Sequence, residues 1–262
     1  MGRKSVSVNL SDLAAALAQP EYITVSLSVP KLTKDSFVDE LYKGINDVCK
    51  DFNVKVIGGD ITGSDKVVIS ICAIGKKVSN YLTSRSFARK GDYIIVTGNF
   101  GASAAGLHSL SNFVYAEENL INAHLNPMPR IKEAAFMTKL LKENIAAMDC
   151  SDGLIDALYK IALNSKHSVN IDINKVPVLK ELKTYCKRNK LDYKTLVKWG
   201  GEDYELIFCV NEEIYKNLNP ELFTSIGRVL NKNTNPSIIV TDNIKQENIT
   251  KEIFESNSFN HF

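Results

Sequence analysis

Strand-like and helix-like segments follow one another along this chain in no regular alternation, and that irregular order constrains the fold more than any other feature. Residues 8–19, VNLSDLAAALAQ, predict an Ala/Leu-rich helix entered through Asn9 or Ser11 and stopped at Pro20. EYITVSLSV at 21–29 alternates as a strand does. Across 33–52, Phe37, Val38, Leu41, Ile45, Val48, Cys49 and Phe52 form one helical stripe, with Thr33 as the expected cap. NVKVIGGD reads as a short strand ending in Gly58-Gly59-Asp60, and KVVISICAIG from Lys66 as a β-branched strand. Residues 76–90 are polar, basic and without period, which puts a domain junction near Lys77 and predicts units at 1–77 and 78–262.

Beyond the junction DYIIVTG predicts a strand, GASAAGLHSL a helix, and residues 130–144 another helix. SDGLIDALYKIALNS predicts a helix with Ser151 at its start, while SVNIDI, YELIFCV and SIIVTD read as strands. The last thirty or so residues are Asn-rich and weakly patterned, and their composition predicts a frayed tail. Without a βαβ repeat the expected class is α+β, and 262 residues suffice for two cores.

The charge balance excludes some functions. With 32 basic and 30 acidic residues the net charge is +2, so no broad footprint for nucleic acid is expected. No apolar run is long enough to span a bilayer and MGRKSVSVNL lacks a signal-peptide core, so the expectation is no membrane partner and a cytoplasmic location. Five scattered cysteines without a C-x-x-C pair predict free thiols, and four histidines without ligand spacing leave oxygen as the donor for any metal.

Four acidic clusters sit beside glycine or at helix starts: Asn9-Leu10-Ser11-Asp12, Gly58-Gly59-Asp60, Asp149-Cys150-Ser151-Asp152-Gly153 and Gly200-Gly201-Glu202-Asp203. Carboxylates converging from several elements suit Mg²⁺, which in turn holds nucleotide phosphates. The plainer alternative is that Asp12 and Asp152 offset helix dipoles and that Gly-Gly-Asp is only a turn. TGNFGASAAG at 97–106 joins a strand to a helix whose N-terminus is able to face phosphate, but it is neither a P-loop nor a G-x-G-x-x-G fingerprint. Its alternative is a tight connection whose small residues allow close packing.

Taken in order, NLSDLAA, VIGGD, SFARKGD ending at Asp92, TGNFGASAAGL, HLNPMPR, MDCSDGL, GGEDYEL and FNHF resemble the thiamine-monophosphate kinase family, within the aminoimidazole-ribonucleotide-synthetase-like superfamily. The resemblance implies that superfamily's two-domain α+β fold, here with an incomplete N-terminal domain, and a homodimer. It also implies ATP- and Mg²⁺-dependent phosphorylation of thiamine monophosphate to thiamine diphosphate. Asp12, Asp60, Asp149 and Asp152 match metal ligands. Tyr42, Gly59, Asp60, Arg85 and Ser151 match ATP contacts, with Arg89 a near competitor of Arg85. Glu202 and Phe259 match substrate contacts. No catalytic general base is implied, since a phosphate monoester is already largely ionised near neutrality.

The family also carries G-D-D-A-A and T-D-x-x-x-E-G-x-H-F segments upstream of N-L-S-D, absent from this sequence. Their absence predicts an N-terminal truncation, a weak kinase, and unpaired backbone at an edge of EYITVSLSV or KVVISICAIG. Ile61 and Gly63 in GGDITGS and Asn260 in FNHF depart from the usual motif. Other readings of the same motifs are another ATP-using enzyme of the superfamily, such as selenophosphate synthetase, or a non-catalytic nucleotide-binding remnant.

Overall fold

The structure is a computed structural model and describes residues 1–243 and 245–258. Helix α1 (Gly2–Ala15) leads into β1 (Ala18–Val29), followed by α2 (Asp35–Asp51), β2 (Lys55–Gly63) and β3 (Val68–Lys77). β1 is the middle strand of a three-stranded sheet, parallel to β2 through the α2 crossover and antiparallel to β3. The stripe expected on α2 buries Leu41, Ile45, Val48 and Cys49 against Ile23, Val25 and Leu27 of β1 and Val6 and Leu10 of α1. The other face of this sheet is open, and every residue of β2 is exposed.

After a 3-10 turn at Arg85–Phe87, the chain forms β4 (Tyr93–Val96), α3 (Ala102–Asn112), α4 (Glu118–Leu125), α5 (Ile131–Leu140) and β5 (Ala146–Asp149). Next come α6 (Leu154–Ser165), β6 (His167–Asp172), α7 (Lys180–Asn189), α8 (Tyr193–Trp199), β7 (Leu206–Val210) and α9 (Glu212–Lys216). The described chain closes with β8 (Thr224–Lys232), β9 (Ile238–Asp242), β10 (Lys245–Ile249) and α10 (Lys251–Asn257). Seven strands form a mixed sheet in the order β10-β9-β6-β8-β4-β7-β5, in which only the β6–β9 pair is parallel. β7 shows how that sheet is covered: Ile207 and Cys209 point into the core beneath α3, α6 and α7, while Leu206, Phe208 and Val210 point into a second core with α5 and α9. Both cores exclude water, so the run LIFCV is apolar throughout rather than alternating.

Several local expectations are corrected. α1 starts six residues before Val8 and ends before Pro20, which lies inside β1. Asn9 and Ser11 are therefore mid-helix rather than caps. Packing decides the early start: a Cβ on Gly2 would stand 2.0 Å from the Leu41 carbonyl oxygen, so the two helices nearly touch there. Proline cannot donate to a ladder, and the β1–β3 register slips between Pro20 and Tyr22. Lys34, not Thr33, precedes α2 at its cap. Gly58-Gly59-Asp60 is strand rather than turn, and a Cβ on Gly59 would lie 1.9 Å from the Val25 carbonyl oxygen. EYITVSLSV is paired on both sides. Ser151 stands in a loop, with Gly153 at the α6 cap. The expected frayed tail instead holds β10 and α10, fixed by fully buried Ile249 and by Phe254 stacked on Tyr159 at 4.2 Å. Their apolar content is concentrated in a few residues, which composition averages away.

Candidate active site

Two loops run side by side at one end of the seven-stranded sheet. The loop after β5 carries Asp149 to Gly153, and the loop before β7 carries Gly200 to Glu205. The Glu202 N–H donates to the Ser151 carbonyl at 2.6 Å and the Tyr204 N–H to the Cys150 carbonyl at 2.9 Å. A Cβ on Gly201 would sit 2.6 Å from the Ser151 carbonyl oxygen, so only glycine permits that approach. Glu202 (φ 64°) and Tyr204 (φ 52°) adopt the left-handed region despite their side chains, a strain typical of functional loops. The loops line a cavity of about 670 Å³ with Ser151, Asp152, Glu202 and Tyr204 on its polar side and Leu107 and Trp199 on its apolar side.

α1 brings its own acid to this end. Ser11 donates to Asp149 Oδ2 at 2.8 Å across the junction between the two sheets. Burial pushes the Asp149 carboxyl up to about 6; the Ser11 hydrogen bond opposes this, and the charges of Asp12 and Asp152 add to it. Asp12 is itself raised by burial. The Tyr204 hydroxyl is pushed up first by burial and then by Glu202, Asp149, Asp152 and Asp12, so four of these acids surround it. Lys160 offsets part of the charge, holding Asp152 at 3.1 Å and Asp156 at 2.6 Å.

The sequence-derived candidates separate in this frame. Asp12, Asp149, Ser151, Asp152 and Glu202 belong to one neighbourhood. Arg85 stands in the 3-10 turn packed on α6, where its charge acts on Asp156, whereas Arg89 is paired with Glu143. Asp60 is exposed on edge strand β2, its Oδ1 accepting from the Ile61 N–H at 2.9 Å. Gly59 is required by its approach to β1, and Tyr42 is half-buried against the core of the three-stranded sheet. Phe259 lies outside the described residues. Among the described residues, no three His, Cys, Asp or Glu side chains converge closely enough to hold a metal ion.

The glycine-rich segment takes its plainer reading. Asp203 occupies the N-terminus of α3, accepting from the Gly101 N–H at 2.8 Å and the Ser103 N–H at 3.2 Å, so the chain supplies its own acceptor there. Beneath it Glu205 accepts from Thr97 Oγ1 at 2.7 Å, Asn99 N–H at 3.1 Å, and Arg130 Nε and Nη2 at 2.6 and 2.5 Å. Gly98 is needed because a Cβ would fall 1.8 Å from Glu205 Oε1. Sequence reasoning assigned no role to Lys4, His124, Arg130, Asp156, Lys160 or Glu205, and took Ser11 only as an entry to the first helix. His124, Arg130 and Glu205 lay within HLNPMPR and GGEDYEL, but pairing across about 75 positions has no local signature.

Residues 1–76 match the family profile "AIR synthase related protein, N-terminal domain", and residues 89–216 match "AIR synthase related protein, C-terminal domain". The thiamine-monophosphate kinase of Buchnera aphidicola subsp. Schizaphis graminum is 34% identical over 270 residues, covering 99% of this chain and 79% of that protein. The chain belongs to the thiamine-monophosphate kinase family. The Bacillus subtilis thiamine-monophosphate kinase is 32% identical over 275 residues, covering 100% of this chain and 81% of the relative. A solved structure, AaThiL complexed with AMPPCP and TMP, superposes with a TM-score of 0.85 at 32% identity, covering 100% of this chain and 80% of that one. The shared fold is the family's two-domain α+β architecture.

Proposed function

We propose that this chain transfers the γ-phosphoryl group of ATP to thiamine monophosphate, giving thiamine diphosphate and ADP. The observation that carries this reading is one cavity lined by Ser151, Asp152, Glu202 and Tyr204 together with apolar Leu107 and Trp199, set on a neighbourhood of acids. A phosphate oxygen of the substrate attacks the γ-phosphorus and the bond to the β-phosphate oxygen breaks. Two anions must be brought together, so the protein's work is alignment and charge compensation.

The donor set fits Mg²⁺ in chemistry, because its members are carboxylates, and at Asp12 and Asp149 burial resists ionisation until a cation is present. Asp12, Asp149 and Asp152, with Asp60 from β2, would supply carboxylate oxygens to the metal, which would have to draw them together because no three of the described acids already stand close enough to hold an ion, and it would supply positive charge to the phosphates when bound. Ser11 holds Asp149 in place, and Lys160 keeps Asp152 ordered. Ser151 and Arg85 would bind the nucleotide with Gly59 and Tyr42. Glu202 would accept from the aminopyrimidine, Trp199 and Phe259 would present aromatic surface to the thiamine rings, and the apolar wall would exclude water from the transfer.

The proposal extends to assembly and location. A boundary near Lys77 separates the two sheets, and a homodimer would cover the open face of the three-stranded sheet, where Ile57, Ile61, Val68 and Ile74 are exposed. Among the described residues no helix is long and apolar enough to cross a membrane, and a cytoplasmic location is proposed. Incubation with ATP, Mg²⁺ and thiamine monophosphate should yield thiamine diphosphate and ADP in equal amounts, separated by chromatography. Binding of both substrates without product would overturn the reading in favour of a non-catalytic nucleotide-binding protein.

A further inference from the structure

Glu202 is a poor recognition group on its own, because its carboxylate is 40% exposed and a free glutamate side chain samples many rotamers. Its surroundings remove that freedom. Oε2 accepts from Lys4 Nζ at 3.0 Å, and His124 Nδ1 lies 3.2 Å from the same atom. His124 Nδ1 is also 3.1 Å from the hydroxyl of fully buried Ser103, in the first turn of α3. The hydrogen bond of Nδ1 goes to Ser103, and it holds the ring edge against Oε2. The His124 side chain is only 12% exposed, which fixes the ring. Among the described residues Oε1 has no hydrogen-bond partner, and Glu202 lines the cavity.

We propose that Lys4 and His124 are positioning residues that clamp Glu202 through Oε2, leaving Oε1 aimed as the acceptor for the exocyclic amine of an aminopyrimidine. The inference rests on the reading that Glu202 meets the substrate. It makes the specificity of the pocket depend on both parts of the chain, since Lys4 lies on α1 and His124 on α4. Burial and the Lys4 charge hold the His124 imidazole below its ordinary range, so it stands beside Oε2 as a neutral ring.

Steady-state kinetics and calorimetric binding of thiamine monophosphate test this clamp. Lys4→Met should raise the KM and Kd for thiamine monophosphate about fivefold to tenfold, the loss of one hydrogen bond to a charged group, and His124→Leu should raise them about twofold to threefold, the loss of a ring packed against Oε2. The KM for ATP and kcat should stay within about twofold. Lys4→Arg, which restores a donor near the same place, should recover most of the affinity. Combined with Glu202→Ala, neither Lys4→Met nor His124→Leu should add a further loss, because the clamp then has nothing to hold. An analogue carrying oxygen in place of the pyrimidine amine should be indifferent to all of them. Thermal denaturation checks folding, and half-exposed Lys4 keeps the test open if His124→Leu is unstable. If Glu202→Ala raises the KM while Lys4→Met and its Arg counterpart leave it unchanged, or if the losses add in the double variants, the clamp is wrong. If Glu202→Ala itself changes nothing, the underlying reading of Glu202 fails instead.

Discussion

The two sheets of this chain solve the problem of burial differently. The seven-stranded sheet has helices on both faces in the β4–β7–β5 region, and side chains such as Ile94, Ile95, Ile207 and Phe208 are fully buried there. The three-stranded sheet is covered by α1 and α2 on one face and leaves β2 exposed along its length. The rigid sheet therefore supplies the site's frame, two loops locked together by backbone hydrogen bonds. The half-covered sheet contributes through α1, which is fastened to the frame by Ala14, and by Leu17 just past its end, in the second core and by the Ser11–Asp149 bond.

A core substitution would test that contrast most severely. Phe208→Ala should lower stability by about 3–5 kcal/mol, because the void under β7 cannot collapse between two packed faces. Ile57→Ala on the open sheet should change monomer stability by no more than about 0.5 kcal/mol. Denaturant titration measures both. A large, concentration-dependent loss for Ile57→Ala would show that the open face is covered in solution.

Asp149→Asn sharpens the comparison at the seam. Turnover should fall about a hundredfold or more, as for loss of an electrostatic contact used in phosphoryl transfer. The melting temperature should hold or rise. Burial and the neighbouring acids lift its carboxyl to about 6, so near neutrality the folded state gains nothing from that charge, and Asn keeps an oxygen for Ser11. Parallel losses of activity and stability would make Asp149 a structural acid.

The smallest effect concerns pH. His124 is lowered from its ordinary 6.5, first by burial, then by the Lys4 charge, against the pull of Glu202. The unfolded chain then binds more protons around and below that pH, so stability contributed here is present above 6.5 and declines as the solution is acidified. Melting curves of His124→Gln should be flatter on the acid side than those of the wild type. An unchanged acid limb would mean that the ring is protonated in the folded state.

Much of this architecture was legible in the sequence. Period-2 and period-3.6 patterns marked β1, β3, β4, β6, β7, β9, α2, α3 and α6, because each buries one stripe or a whole run. The glycine–acid clusters marked the two loops that form the cavity, and family motifs named its chemistry. β5, β8, β10 and the short helices α4, α7, α8, α9 and α10 escaped notice. Most of them owe their burial to a few residues each, as Leu120 does for α4 and Ile214 for α9.

What the sequence determined by itself was the fold class and the order of the motifs. Tertiary structure decided which residues share a function. It folded Gly58-Gly59-Asp60 into a strand, gave the α3 N-terminus to Asp203, turned Arg89 toward Glu143 and set Arg85 beside α6. It also joined Lys4, His124 and Glu202, residues up to 198 positions apart. The physical reason is that periodicity records only which side of an element meets the core, a local property. An ion pair or a buried hydrogen bond depends on where two distant backbones cross, and only the packed chain fixes that.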